Sequence, residues 1–134
     1  MNNNLPDFKL EASKAPYIAY NGIELTDYGD GFCKGRLKIE AHHKNLLGNV
    51  HGGCVFTLAD SVAGYTAMTM GTVVATANAS INYLYPVADT DYLICEGRII
   101  KNGKTVTVVR TELFDDNGKL LADGSFSCYV LRQR

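Results

Sequence analysis

The chain has 134 residues, 46% of them apolar, with 13 basic and 14 acidic side chains. That is enough apolar residue for one domain to bury a core without disulfides or metal. The near-balance of charge gives no electrostatic footprint for nucleic acid or an anionic membrane, and no apolar run is long enough to span a bilayer.

In chain order, residues 1–15 read as a lead segment or short helix ahead of a single domain over 16–134, with Pro6 suited to the first turn of a helix over 6–13. The segment has neither the charged start nor the apolar middle of a signal peptide, so the cytoplasm is the expected compartment. Residues 17–20 lead into a first strand over 23–28, and Asp30-Gly31 marks a hairpin turn. A second strand over 32–40 alternates Leu37 and Ile39 with Arg36, Lys38 and Glu40, as in a sheet with one solvated face.

Residues 45–60, NLLGNVHGGCVFTLAD, join a polar, Gly-rich loop to an apolar helical segment over 54–70 whose only charge is Asp60. Gly52 and Gly53 leave the first amides of that helix unobstructed. These amides have no partner within the helix, and with the helix dipole they suit an anion or a carbonyl oxygen that becomes one, as in an oxyanion hole. Asp60 has almost no polar face to occupy among Leu58, Ala59, Val62 and Ala63, which favours a functional carboxylate over a surface one.

Asp60 lies seven residues beyond Gly53, about 10 Å along a helix axis at a rise of ~1.5 Å per residue. A carboxylate and an oxyanion donor serving one carbonyl must both lie about 3 Å from the reacting atoms. One straight helix cannot arrange this, so the spacing predicts a site shared across a two-fold homodimer, Gly53 from one chain and Asp60 from the other.

A strand over 76–85 follows, with Ala77, Ala79, Ile81 and Tyr83 expected on one face and Thr76, Asn78, Ser80 and Asn82 on the other. Pro86 ends it. Asn102-Gly103 and Asn117-Gly118 predict two hairpin turns linking three final strands as a meander. The last strand sets Ala122, Gly124, Phe126, Cys128 and Val130 against Asp123, Ser125, Ser127 and Tyr129. Two strands, one long helix and a run of antiparallel strands make an α+β domain in which a curved sheet wraps the helix.

The four cysteines form no C-x-x-C pair and read as small buried hydrophobes. His42 and His43 point apart, and no second ligand group stands at a metal-binding spacing from His51, so no metal is expected. The NGKT of residues 102–105 is no phosphate-binding loop, because Gly97 is one residue too far upstream and no helix follows. Arg98, Lys101 and Lys104 nearby fit a solvated strand face.

The pattern N-x-x-G-x-x-H-G-G followed by L-x-D, carried by Asn45, Gly48, His51, Gly52, Gly53, Leu58 and Asp60, resembles the hotdog-fold acyl-CoA thioesterases of the phenylacetate-pathway type. The resemblance continues through TANASINYLYP at 76–86 and through residues 101–131. It implies a hydrolase that converts an acyl-CoA thioester to a carboxylic acid and free coenzyme A with no further cofactor, in a homodimer assembled into a tetramer.

By that resemblance Asp60 is the general base or nucleophile and the Gly53 amide the oxyanion donor. Asn45 and Thr76 position carbonyl and water, His51 and Gly52 shape the loop, and Arg98, Lys101 and Lys104 meet the phosphates of coenzyme A. Two alternatives keep the same pocket. A non-catalytic acyl-CoA sensor would bind without hydrolysis. An enoyl-CoA hydratase would carry His five residues after the Asp, where this chain has Tyr65.

Overall fold

The computed structural model describes residues 5–134; residues 1–4 of the expected lead segment lie outside the described residues. Helix α1, Phe8–Lys14, starts later than expected because Asp7 caps it, its side chain accepting from the Leu10 amide at 3.1 Å. Pro6 instead gives its carbonyl to the Tyr28 hydroxyl at 3.0 Å. Phe8 is fully buried, with its ring 5.0 Å from that of Tyr28 and 5.3 Å from that of Tyr65, so this segment contributes to the core. Residues 16–20, expected to lead directly into a strand, form a short helix α2, Pro16–Tyr20, with Pro16 in its first turn.

Strands β1 (Ile23–Gly29) and β2 (Phe32–Lys38) form the expected hairpin, with Gly31 at φ +84°. The chain then passes a 3-10 turn at Ala41–His43 into the long helix α3, Gly52–Met68. Strands β3 (Thr72–Tyr83), β4 (Tyr92–Asn102), β5 (Val106–Phe114) and β6 (Leu120–Gln133) complete one antiparallel sheet, ordered β1-β2-β4-β5-β6-β3. This is the expected α+β arrangement, with β3 returning past the meander to form one edge.

Helix α3 buries Val55, Leu58, Ala59, Val62 and Ala63 in a core shared with Leu37, Leu93, Val109, Leu113 and Phe126 of the sheet. Each such side chain contributes about 1.5–3 kcal/mol relative to exposure. The helix lies so close to β4 that a Cβ at Gly97 would sit 2.3 Å from Thr66 Oγ1. Arg98, next along the strand, therefore points to the opposite face.

The two Asn-Gly sites are turns, but not the two-residue kind. A type I′ hairpin needs positive φ at both central residues, and among the described residues only glycines have it. The β4–β5 connection runs over 103–105, and that of β5–β6 over 115–119. In the latter, Asp115 Oδ1 accepts from the Asn117 and Lys119 amides at 2.9 Å each, and Gly118 takes φ +79°.

Strand β3 begins four residues before the expected position, at Thr72, and its alternation is broken. Thr76 pairs with Cys128, but Asn78 pairs with Ser127, so Ala77 is an extra residue, a β-bulge. Thr76 therefore faces α3 with Ala79 and Ile81, and the expected grouping of Thr76 with Asn78, Ser80 and Asn82 does not hold. A bulge shifts the phase of alternation by one residue, which the period-two reading of the sequence could not register.

Candidate active site

The loop 44–51 is closed by its own polar groups. Asn45 Oδ1 accepts from the Leu47 amide at 3.0 Å and the Asn49 amide at 3.1 Å, while Asn45 N–H donates to Asn49 O at 2.7 Å. The side-chain carbonyl of Asn45 is thus spent on an Asx turn, and Nδ2 is the part left for other work. His51 N–H donates to His43 O at 2.8 Å, and Val50 N–H to Val87 O at 3.0 Å, tying the loop to the body.

His51 is the N-cap of α3, its Nδ1 accepting from Gly53 N–H at 2.9 Å. The Gly53 amide is free of any Cβ, as expected, but is engaged by the His51 ring, two residues back along the chain. Neither Gly52 nor Gly53 has positive φ; a Cβ at 53 would stand 3.1 Å from His51 Nδ1, so the ring would have to give way by a few tenths of an ångström.

Two tyrosines flank this helix start. Tyr83, at the end of β3, donates its hydroxyl to Gly52 O at 2.9 Å. Tyr17 of α2 lies 3.3 Å from Thr57 Oγ1, which itself donates to Gly53 O at 2.9 Å. Sequence reasoning did not place Tyr17 here because it missed α2, for which Pro16 was the available signal.

About two turns along α3, Asp60 is half-buried, and its Oδ1 accepts from Thr76 Oγ1 at 2.6 Å. The bulge in β3 is what turns Thr76 toward the helix. Cys128, cross-strand from Thr76, is fully buried, and its thiol is pushed up to about 11, first by burial and then by the Asp60 charge. It stays a neutral thiol beside the carboxylate.

The structure brings Asp60 and Thr76 together, sets His51, Gly52 and Gly53 at the helix start, and places Asn45 in the loop before it. It does not join the two groups within one chain. Arg98 and Lys101 are exposed on the face of β4 away from α3, and Lys104 is exposed in the β4–β5 connection. None of the three makes an ion pair with the described residues. Among the described residues no cluster of His, Cys, Asp and Glu could hold a metal ion, and no helix is long and apolar enough to cross a membrane.

A surface depression of about 300 Å³, lined by Pro86, Thr90, Asp115, Lys119 and Leu121 among others, lies away from the Asp60–Thr76 pair. Leu121 is seven residues along β6 from Cys128, ~23 Å at the rise of an extended strand.

Residues 47–122, which hold the helix start, Asp60 and Thr76, match the family model described as the Thioesterase superfamily. The chain belongs to that superfamily. Among its relatives, mouse acyl-coenzyme A thioesterase 13 is 32% identical over 91 residues, covering 66% of this chain and 65% of the relative. The Escherichia coli acyl-coenzyme A thioesterase PaaI is 26% identical over 101 residues, covering 75% of this chain and 72% of its own.

A Streptococcus mutans protein crystallised with acetyl-CoA superposes with TM-score 0.80 at 27% identity, over 84% of this chain and 90% of that one. The structure of PaaI superposes with TM-score 0.87 over 92% of this chain and 90% of that one; at 21% identity it shows the fold. The sheet and central helix of this thioesterase-superfamily member are thus the hotdog fold.

Proposed function

We propose that the protein hydrolyses acyl-CoA thioesters to carboxylic acid and free coenzyme A, in active sites shared between two copies of the chain. The observation that carries this reading is the Thr76–Asp60 hydrogen bond of 2.6 Å, on a helix whose own first-turn amides are about 10 Å away. Thr76 spends its hydroxyl proton on Asp60, so its lone pairs can accept from a water. That water then lies beside the second oxygen of Asp60.

Asp60 takes a proton from this water, and the hydroxide attacks the thioester carbonyl. The Gly53 amide of the other protomer holds the resulting oxyanion, with Asn45 Nδ2 beside the carbonyl and Gly52 and His51 shaping the loop. Collapse breaks the C–S bond, and protonated Asp60 returns its proton to the departing thiolate. Direct attack by Asp60, with water cleaving the resulting anhydride, uses the same contacts.

The dimer is supported by the edge of β3, twelve residues long and, among the described residues, bonded along the sheet to β6 alone. An uncovered edge of that length is a template for pairing with another copy. We propose further that two dimers form a tetramer, that the compartment is the cytoplasm, and that Arg98, Lys101 and Lys104 meet the phosphates of coenzyme A.

Thiol release from aryl-, short-, medium- and long-chain acyl-CoAs, by wild type beside Asp60→Asn, tests the reading. Asp60→Asn is expected to lower turnover by on the order of a hundredfold or more while still binding substrate. A wild-type protein that bound several acyl-CoAs and released no thiol would be a sensor instead.

A further inference from the structure

Strand β3 has one edge bonded to β6 and, among the described residues, no strand on the other. Open edges are ordinarily guarded by Lys, Pro or inward-pointing charge, and Thr72–Tyr83, TVVATANASINY, holds none of these. A Cβ at Gly124 of β6 would stand 3.0 Å from Ser80 O, and Leu84 N–H donates to Leu121 O, so the even positions turn their backbone groups into the sheet. The N–H and C=O of Ala79 and Ile81 therefore face the open edge.

Side chains alternate as well. Ala79, Ile81 and Tyr83 pair with Phe126, Gly124 and Ala122 on the helix side, and Asn78, Ser80 and Asn82 with Ser127, Ser125 and Asp123 on the other. Residues directly opposite in an antiparallel pair share a face, so a two-fold axis relating two copies of this edge passes through a residue, not between two. An axis at Ser80 sets Ala79 against the partner's Ile81 and Asn78 against the partner's Asn82. It also sets Tyr83 against the bulge at Ala77, where Thr76 is the inward-facing residue. An axis at Ala79 brings Ile81 to that place instead, and one at Ile81 sets Tyr83 against Ala79.

We propose that two copies pair β3 to β3 about an axis at Ser80, so that Tyr83 of each chain stands across from the partner's Thr76 and Asp60 and bears on the acyl group. The inference rests on the shared hydrolytic site proposed above, which selects Ser80 among the face-matched axes. Tyr83 is tied to its own helix start: its hydroxyl donates to Gly52 O at 2.9 Å, and a Cβ at Gly52 would stand 3.5 Å from its ring. Opposite residues have Cβ atoms about 4.5–5.5 Å apart, so the same ring reaches the Thr76–Asp60 pair of the other chain and bridges the two half-sites. The residue is 53% exposed in the single chain, which leaves its ring open to an apolar acyl group. Ala79 and Ile81, partly buried, continue that apolar surface toward the axis.

Single cysteines read the register in the wild-type background, whose own four cysteines are buried or half-buried. At Ser80 the pair across the axis is not hydrogen-bonded, with Cα atoms about 4.5 Å apart, within the ~4.4–6.8 Å that a disulfide spans. Ser80→Cys is expected to form a disulfide-linked dimer under mild oxidation, and so is Asn78→Cys mixed with Asn82→Cys. Asn78→Cys or Asn82→Cys alone is not, since each stands about 13 Å from its own copy along the strand. Linkage of either alone, or of none of these in protein that dimerises, overturns the axis and leaves the hydrolase reading standing. Protein that stays monomeric overturns the axis and the shared site together.

Tyr83→Ala is expected to lower kcat/KM for an aryl-CoA at least severalfold relative to acetyl-CoA, whose methyl offers little to pack on the ring, while Tyr83→Phe keeps the wild-type ratio. An unchanged ratio in Tyr83→Ala removes the ring from the site. Linkage at Ser80 in protein that releases no thiol from any acyl-CoA overturns the hydrolase reading, and the role of Tyr83 with it, and leaves the axis.

Discussion

Thr76 and Asp60 share one short hydrogen bond, and the roles proposed for them differ by what each can donate or accept. Thr76→Ser keeps the hydroxyl and is expected to retain activity within about threefold, whereas Thr76→Val is expected to lose about tenfold or more in kcat with little change in KM. Equal activity in the two variants, measured by thiol release, would remove the Thr76 hydroxyl from the mechanism. The unusual placement of Asp60 was legible in the sequence because a lone charge in an apolar helix needs a reason. Thr76's partnership was not, because a one-residue bulge at Ala77 turns it to the other face and leaves no mark in the alternation of small residues.

His43 offers a residue-scale test of a different kind. It is buried, its Nδ1 accepts from Glu40 N–H at 3.0 Å, and its Nε2 donates to Asn21 O at 3.1 Å. Burial, then the neighbouring His42, hold its pKa below the ordinary 6.5. The folded state thus resists a proton that the unfolded chain accepts, so stability is full above about pH 6.5 and falls as the pH drops toward the lowered folded value. Thermal melts from about pH 7 to about pH 5 are expected to show a falling Tm, with a smaller fall in His43→Gln. An equal fall in both proteins would assign the acid sensitivity elsewhere.

Among elements, α3 and its loop were the most legible part of the chain. The polar loop, the apolar run and the single carboxylate each follow from residue types, and the observed helix starts at the Gly-Gly pair. The N-terminal segment was the least legible. Its two short helices are each stabilised by tertiary contact more than by propensity, and Phe8 reads as a lone aromatic until it is seen between Tyr28 and Tyr65. Phe8→Ala is therefore expected to cost about 3–5 kcal/mol, a large fall in denaturation midpoint for a residue so near the terminus. A change under about 1 kcal/mol would mean that α1 is not part of the folded core.

The Asn-Gly sites were read correctly as the links of the meander, without their length. At 115–119 the side chain of Asp115 supplies two hydrogen bonds that close a longer loop, and an Asx turn competes well with the two-residue hairpin.

For the whole molecule, the two halves proposed for the site stand about 10 Å apart on one helix, so the proposed function depends on assembly. The basic residues on the outer face of β4 belong to the same scale. If Arg98, Lys101 and Lys104 meet coenzyme A phosphates, Lys101→Ala is expected to raise KM severalfold with kcat unchanged, and the effect is expected to shrink as salt is added. An unaltered KM at low salt would return them to a solvated face.

The central claim is the shared site, and complementation between two inactive variants measures it most directly. Asp60→Asn removes the base. Asn45→Asp keeps the side-chain oxygen that closes the loop and removes the Nδ2 donor proposed to lie beside the carbonyl in the other half of the site. In a mixed dimer one site then has both lesions and the other has neither. Random pairing makes about half the dimers mixed, each with one intact site, so unfolding and refolding the two variants together is expected to restore about a quarter of wild-type thiol release. A refolded mixture as inactive as either parent, with mixed dimers demonstrably formed, would contradict the shared site.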